Sequence, residues 1–353
     1  MAAEITDGRF PPHLRPPEAG IGLPWAATFC LLPAAAWGAV AFGMPALIVL
    51  AISVGASCIA ELALTVPRGR CTLGDGTAFL TGLLIGCSMP PAVALYVPAA
   101  ASAFAILVVK HTFGGAGRNW MNPAMAGRTF ALLCWPVPQA AWTAPFSHAD
   151  AVGSATPLAV LRGLPLGASP WAAAASGGMP VSVVDAGVTA WVRRCLGIRL
   201  PDGIVDLLLG WRPGAIGEVS MVLLAAGAAV LIYRRIIRWE IPAAFLATFA
   251  LLSWILGGPA GTLFRGAPLY AVASGGIVLC AFFSATDPVT SPMSRSGRVL
   301  FAVGVGGLSF LLRRYGSTTE GTGAALILMN CLVPLLDRWI RPQPFGSSRR
   351  NAA

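Results

Sequence analysis

Four carboxylates stand where the chain is otherwise apolar and rich in glycine or proline. They are Asp75 (Gly74-Asp75-Gly76), Glu218 (Gly217-Glu218), Asp287 (Thr286-Asp287-Pro288) and Glu320 (Glu320-Gly321). An ionisable group is costly within a lipid-embedded segment and commonly marks an ion or proton path. Carboxylates beside backbone carbonyls freed by Gly or Pro offer oxygen ligands for Na+ or stations for a proton relay. Capping is the other reading: Asp75, Glu218 and Glu320 each precede an apolar run, where negative charge suits the helix dipole. Glu61, Lys110, Arg128, Glu240 and Asp337 are further ionisable residues within or at the mouths of apolar runs.

A second candidate is a hydroxyl. In Asp150-Ala-Val-Gly-Ser154-Ala-Thr156-Pro157-Leu158, proline after threonine reads as a helix start with Thr156 as its N-cap. A hydroxyl there also sits where a phosphate is stabilised. The eight cysteines (30, 58, 71, 87, 134, 195, 280 and 331) form no Cys-x-x-Cys pair and read as small apolar residues. Three histidines (13, 111 and 148) have no partners spaced for a zinc or haem site.

The elements that position these groups are set by composition. Of 353 residues, 56% are apolar and 11% charged, against roughly 25% charged in soluble domains. No soluble fold of this size hides so much apolar surface, so the fold class is an all-α polytopic membrane protein. Disorder and a secreted disulfide scaffold are excluded. Ten apolar runs are predicted as spans: 25–43, 45–66, 75–89, 94–111, 122–137, 217–233, 240–257, 267–285, 298–313 and 320–337. The third and fifth are short enough to be half-helices.

The net charge of +10 comes from 23 arginines and one lysine scattered between these runs, an orientation signal rather than a nucleic-acid face. With a cytoplasmic N-terminus, fifteen basic residues fall inside and three (Arg265, Arg313, Arg314) in short outside loops, which places both termini inside. Positions 1–24 lack the apolar core of a cleavable leader, so the first apolar helix is expected to target the membrane. The 138–214 segment, with Trp142, Trp171, Trp191 and Trp211, is expected outside, with interfacial helices over 158–175 and 181–197. A loop this long suggests a lid or cofactor platform. The organisation is thus a cytoplasmic segment (1–24), five helices (25–137), an external loop (138–214), five helices (215–340) and a cytoplasmic tail (341–353). Five helices per half imply opposed orientations, the plan of inverted-repeat transporters.

Several stretches are specific beyond this pattern: PHLR (12–15), DGTAFLTGLLIG (75–86), VVKHTFGGAGRNWMNPAMAGRTF (108–130) and ATPL (155–158). They continue with GWRPGAIGE (210–218), ATDPVTSP (285–292), EGTGAALILMN (320–330) and VPLLDRWIRP (333–342). Through them the chain resembles the D subunit of Rnf-type ion-translocating electron-transport complexes. That subunit is similar to the B subunit of the sodium-translocating NADH:quinone reductase.

The resemblance implies two inverted five-helix repeats, urea-transporter-like, and FMN joined through its phosphate to a threonine. That threonine ends the pattern Asp-x-x-Ser/Thr-Gly-Ala-Thr, here Thr156, with Asp150 and Ala155 matching. Gly153 and Ser154 depart from the pattern, and Ser154 is the alternative acceptor. Arg162 is placed to neutralise the phosphate. Gly114, Gly115, Gly117 and Asn119 form a loop through which backbone can approach a second, non-covalent flavin such as riboflavin; tight helix packing is the alternative reading of each glycine. The implied setting is a bacterial inner membrane, with the flavin loop periplasmic. The implied partners are subunits carrying iron–sulfur centres and flavin, linking ferredoxin to NAD and driving Na+ or H+ movement. A channel or transporter for a small neutral solute, without flavin, is the competing function on the same plan.

Overall fold

The computed structural model describes residues 18–69, 71–146, 156–163, 181–197, 200–201, 203–258, 262–316 and 320–340. Among them the protein is all-helical. Helix α1 is Glu18–Phe42, α2 Met44–Thr65, α3 Thr77–Cys87, and α4 Tyr96–Phe104 continues as a π-helical turn Ala105–Lys110; α5 is Pro123–Cys134. The long connection contributes α6 Pro157–Arg162, α7 Val183–Leu196 and α8 Ile204–Leu209. Then come α9 Met221–Tyr233, α10 Glu240–Leu256, α11 Pro268–Ala273, α12 Ile277–Leu279 with its π turn Cys280–Ser284, α13 Arg295–Tyr315 and α14 Thr322–Trp339.

Each of the ten predicted runs holds helix. Among the described residues three stretches are both long and apolar enough to cross a bilayer: Gly22–Phe42, Met44–Arg68 and Arg295–Tyr315. Helices α3 and α5 are shorter, Thr77–Cys87 and Pro123–Cys134. At about 1.5 Å per residue, each reaches little more than half of a hydrocarbon core roughly 30 Å thick. The eighth run is broken as well, a feature absent from its hydropathy. Ser274-Gly275-Gly276 leaves the helical path between α11 and α12, with Gly275 at φ +67°. Of the two interfacial helices expected in the long loop, 181–197 is present as α7, while 158–175 begins as α6 and otherwise lies outside the described residues.

The chain packs inside-out. One contiguous apolar core joins Val49, Leu83, Val97 and Met125 to Ile216, Phe245, Ile277, Phe301 and Leu326. Large apolar side chains such as Val40, Ile59 and Leu328 point outward, as lipid contact requires. Backbones approach closely where side chains are small. A Cβ on Gly82 of α3 would fall onto Ser57 Oγ and lie 2.7 Å from the Ser53 carbonyl of α2. Helix α2 also packs on α4, α10 on α13 and α13 on α14, while α1–α9 and α5–α14 contacts join the first half to the second.

Two expectations need correction. The loop-charge count includes Lys110 and Arg313, yet these residues are 1% and 5% exposed. Each is held by hydrogen bonds to neighbouring elements, which offset the burial cost. Removing one from each side leaves fourteen basic residues against two, and the asymmetry stands. The cysteines are also more mixed than expected: Cys87 and Cys280 are buried, Cys30 and Cys58 partly so, and Cys71, Cys134, Cys195 and Cys331 exposed. Cys134 and Cys331 sit on apolar helices that face outward, whereas Cys71 and Cys195 lie in connections between the spans.

Candidate functional site

Helix α5 begins at the centre of the molecule because Asn122 caps it. Asn122 Oδ1 accepts from the amides of Ala124 (3.0 Å) and Met125 (3.1 Å), and Pro123 fits the first helical position. The other side of the same amide reaches the second half: Asn122 Nδ2 donates to the Ser284 carbonyl at 3.0 Å. The Asn330 amide, oriented by its neighbours, accepts from Asn122 N at 3.0 Å and donates to the Thr290 carbonyl at 3.2 Å. This network fixes α5 against the π turn after α12 and against α14. The two halves meet here.

Beside it opens a cleft of about 520 Å³, within the range that holds cofactor-sized ligands. Its walls include Asp75, Thr77, Lys110, Gly117, Asn119 and Asp287. Asp75 Oδ1 accepts from Thr77 N (2.8 Å) and Thr77 Oγ1 (2.7 Å). Asp287 accepts from Val289 N (3.1 Å) and Thr290 Oγ1 (3.2 Å). Burial raises its carboxyl above the usual range, opposed by those two bonds. Asn119 Oδ1 is buried with no hydrogen-bond partner among the described residues. The approach loop turns on Gly114, Gly115 and Gly117, with φ of +111°, +99° and +84°, conformations that glycine adopts without strain. Of these glycines, Gly117 lines the cleft, whereas Gly114 lies against Arg118 and Gly115 faces His111.

A second, water-sized pocket of about 30 Å³ lies toward the other end of α3, lined by Ser88, Met125, Arg128, Glu218, Gly276, Arg313 and Glu320. Arg128 donates to Glu320 Oε2 and to Gln139 Oε1. Arg313 donates through Nε to Thr322 Oγ1 (3.0 Å) and through Nη1 to the Ser274 carbonyl (2.7 Å). Its guanidinium also stacks over Phe249. It thereby satisfies a carbonyl left open where α11 and α12 part. The Glu218 carboxylate abuts Gly276, and its Oε2 has no hydrogen-bond partner among the described residues.

The four carboxylates therefore divide two and two, Asp75 and Asp287 in the cleft, Glu218 and Glu320 in the small pocket. Thr77, Thr81 and Leu84 of α3 line the cleft, and Ser88, just past the helix end, lines the pocket. Both cavities lie along a single helix, about 6 Å apart on its axis.

Thr156 is buried, caps α6 and accepts from Ala159 N at 3.2 Å. Arg162 donates to the Gly316 carbonyl and borders a small pocket with Phe249, Arg313 and Arg314. Asp150 and Ser154 lie outside the described residues.

A cluster that no sequence spacing brings together adjoins the cleft. Lys110 Nζ sits 2.8 Å from Glu61 Oε1 and donates to Thr77 Oγ1 at 2.6 Å, while His111 Nε2 lies 2.8 Å from Glu61 Oε2. Glu61 and the sole lysine each stand out as a charge in an apolar run, but nothing in their spacing of some fifty positions pairs them or adds His111. The arginine clusters are likewise hidden, since Arg128 and Arg313 read as isolated charges.

Residues 9–346 match the profile of the NQR2, RnfD, RnfE family. The chain is 36% identical over 340 residues to the D subunit of the proton-translocating ferredoxin:NAD(+) oxidoreductase complex of Clostridium ljungdahlii, covering 96% of this chain and 95% of that one. It is 36% identical to the D subunit of the ion-translocating oxidoreductase complex of Halorhodospira halophila, covering 97% of this chain and 96% of that one. Identity to the D subunit of the Na(+)-translocating ferredoxin:NAD(+) oxidoreductase complex of Acetobacterium woodii is 32%, covering 96% and 94%. With the likeness running through every segment that builds the cleft and the pocket, the chain belongs to the NQR2, RnfD, RnfE family.

Proposed function

We propose that the chain is a membrane subunit of an ion-translocating ferredoxin:NAD+ oxidoreductase complex, carrying electrons through covalent FMN and coupling them to Na+ or H+ movement. The observation that carries this reading is the pair of carboxylate-lined cavities along α3. A path interrupted by one helical turn is the arrangement a coupled pump needs, because a continuous one would leak. Asp75 and Asp287 serve the cytoplasmic mouth, Glu218 and Glu320 the outer one, with Arg128 and Arg313 setting the charge of the latter. The ten helical runs act as two inverted five-helix repeats, each with interrupted helices at the shared interface.

FMN, when bound, supplies one- and two-electron redox chemistry that the side chains lack. Thr156 offers the hydroxyl for its phosphate, the Ala159 amide of α6 faces the same place, and Arg162 stands at the last position of that helix. A second, non-covalent flavin suits the cleft. There the unpartnered Asn119 Oδ1 can accept from a ring N–H, and Gly117 leaves the wall open to a flat ligand. Electrons must come from and go to partner subunits with iron–sulfur centres and flavin.

The test is intact-mass analysis of the full chain purified with its complex. One added FMN on the peptide containing Thr156, lost in Thr156→Ala at unchanged membrane level, is expected. A wild-type chain without flavin overturns the electron-carrier reading and leaves a solute transporter on the same plan.

A further inference from the structure

From the cleft wall a line of contacts runs to the surface loop. Thr77 Oγ1 donates to Asp75 Oδ1 at 2.7 Å and accepts from Lys110 Nζ at 2.6 Å. Lys110 Nζ lies 2.8 Å from Glu61 Oε1, and the Thr72 hydroxyl donates to the same oxygen. Glu61 Oε2 lies 2.8 Å from His111 Nε2. The side chains of Glu61 and Lys110 are each 1% exposed and that of His111 8%. The far edge of the imidazole, with Nδ1, faces Gly115, where a Cβ would sit 3.9 Å away.

Charge sorts the roles. Glu61 and Lys110 cancel as a buried pair, and breaking that pair is expensive. Among the described residues, Cys58 lies beside Glu61, Asp75 is joined through the Thr77 hydroxyl, and Arg118 lies against Gly114. Histidine is the side chain type among them suited to changing charge near neutrality. With Nε2–H donated to Glu61, Nδ1 is the nitrogen open to a proton.

We propose that His111 is the redox-linked proton acceptor of the cleft, taking up one proton when the flavin held there gains negative charge. This rests on the reading of the cleft as a flavin site. The electron comes from an iron–sulfur protein of the complex. The proton comes from water at the Gly114–Gly117 loop and forms one N–H bond at Nδ1, so the site stays near neutral overall. Lys110 and Glu61 are positioning residues that hold the ring and transmit the change in field. At an effective dielectric of about 20, unit charges within about 12 Å change each other's proton affinity about tenfold.

The experiment uses the full chain in lipid nanodiscs, with Thr156→Ala leaving only the non-covalent flavin. The flavin is titrated reductively between about pH 6 and pH 8, the range in which imidazole ionises. The reduction equilibrium should respond to pH more steeply in this parent than in His111→Gln, which keeps a donor to Glu61 but takes no charge. For a tenfold change in proton affinity the difference should reach about threefold per pH unit. Equal slopes overturn the proposal. A second measurement needs no cleft variant: the chain has three histidines, so the His111 ring resonance can be followed by NMR in oxidised and reduced samples. At fixed pH the ring nitrogens should report a gained proton on reduction, and a ring that gains none overturns the proposal while leaving the flavin site intact. If acid releases no flavin from the purified chain, the cleft reading and this proposal fall together.

Discussion

The buried pair of Glu61 and Lys110 lends itself to a double-mutant cycle. Lys110→Met removes the charge and keeps the stem, leaving Glu61 inside the bundle with the Thr72 hydroxyl and His111. Breaking one side of a buried pair costs about 3–5 kcal/mol, largely the penalty of a stranded charge. Because two partners remain on Glu61, the lower end, about 3 kcal/mol, is expected. Glu61→Gln leaves the Lys110 ammonium with the Thr77 hydroxyl but no countercharge, so about 4 kcal/mol is expected. The double variant strands nothing, and its cost should return to about 1–2 kcal/mol, giving a coupling of about 5 kcal/mol against additivity. Equilibrium unfolding in mixed micelles, followed by circular dichroism, reads all four chains. If the double variant loses as much as both singles together, the pair does not act as a charge-balanced unit and the reasoning fails.

Other outcomes follow from the same geometry. Gly82→Val should cost about 2 kcal/mol or more in the same unfolding assay, since even its Cβ would fall onto Ser57 Oγ and neither helix can retreat cheaply. Thr156→Ser should keep both the α6 cap and the covalent flavin, whereas Thr156→Ala should lose the flavin and about 1 kcal/mol of capping; in-gel fluorescence and unfolding separate the two effects. Asn122→Ala removes a cap and the bond to Ser284, and about 2–3 kcal/mol is expected, whereas Asn122→Asp should spare the cap but set a carboxylate oxygen against the Ser284 carbonyl. Asn119→Leu should lower the flavin released by acid without a comparable loss of stability, because Asn119 Oδ1 has no hydrogen-bond partner among the described residues to lose.

How far the sequence speaks depends on range. Local physics is legible: apolar run length locates helix in all ten places, Asn122-Pro123 and Thr156-Pro157 mark helix starts, and Gly and Pro around Thr77–Cys87 and Pro123–Cys134 mark short helices. The break at Ser274–Gly276 escapes because its flanks are continuously apolar, so hydropathy averages across it. What stabilises the break is Arg313, far along the chain, and no periodicity links an arginine to a distant carbonyl. The candidate site shows the same divide. The carboxylates stand out as charges among apolar neighbours, but their division between two cavities depends on which helix faces meet. Arg128 is visible only as a charge within a span; its pairing with Glu320 joins opposite halves of the sequence.

The alignment of both cavities along α3 also restricts how this chain can vary. Each residue added to a helix turns everything beyond it by about 100°. An insertion or deletion between Thr81 and Ser88 would swing Ser88 away from Arg128 while Thr81 kept its place in the cleft. Side chains there can drift except at Gly82, where α3 meets α2, but changes of length are closed, so this stretch should hold its residue count across descendants whose other side chains have diverged.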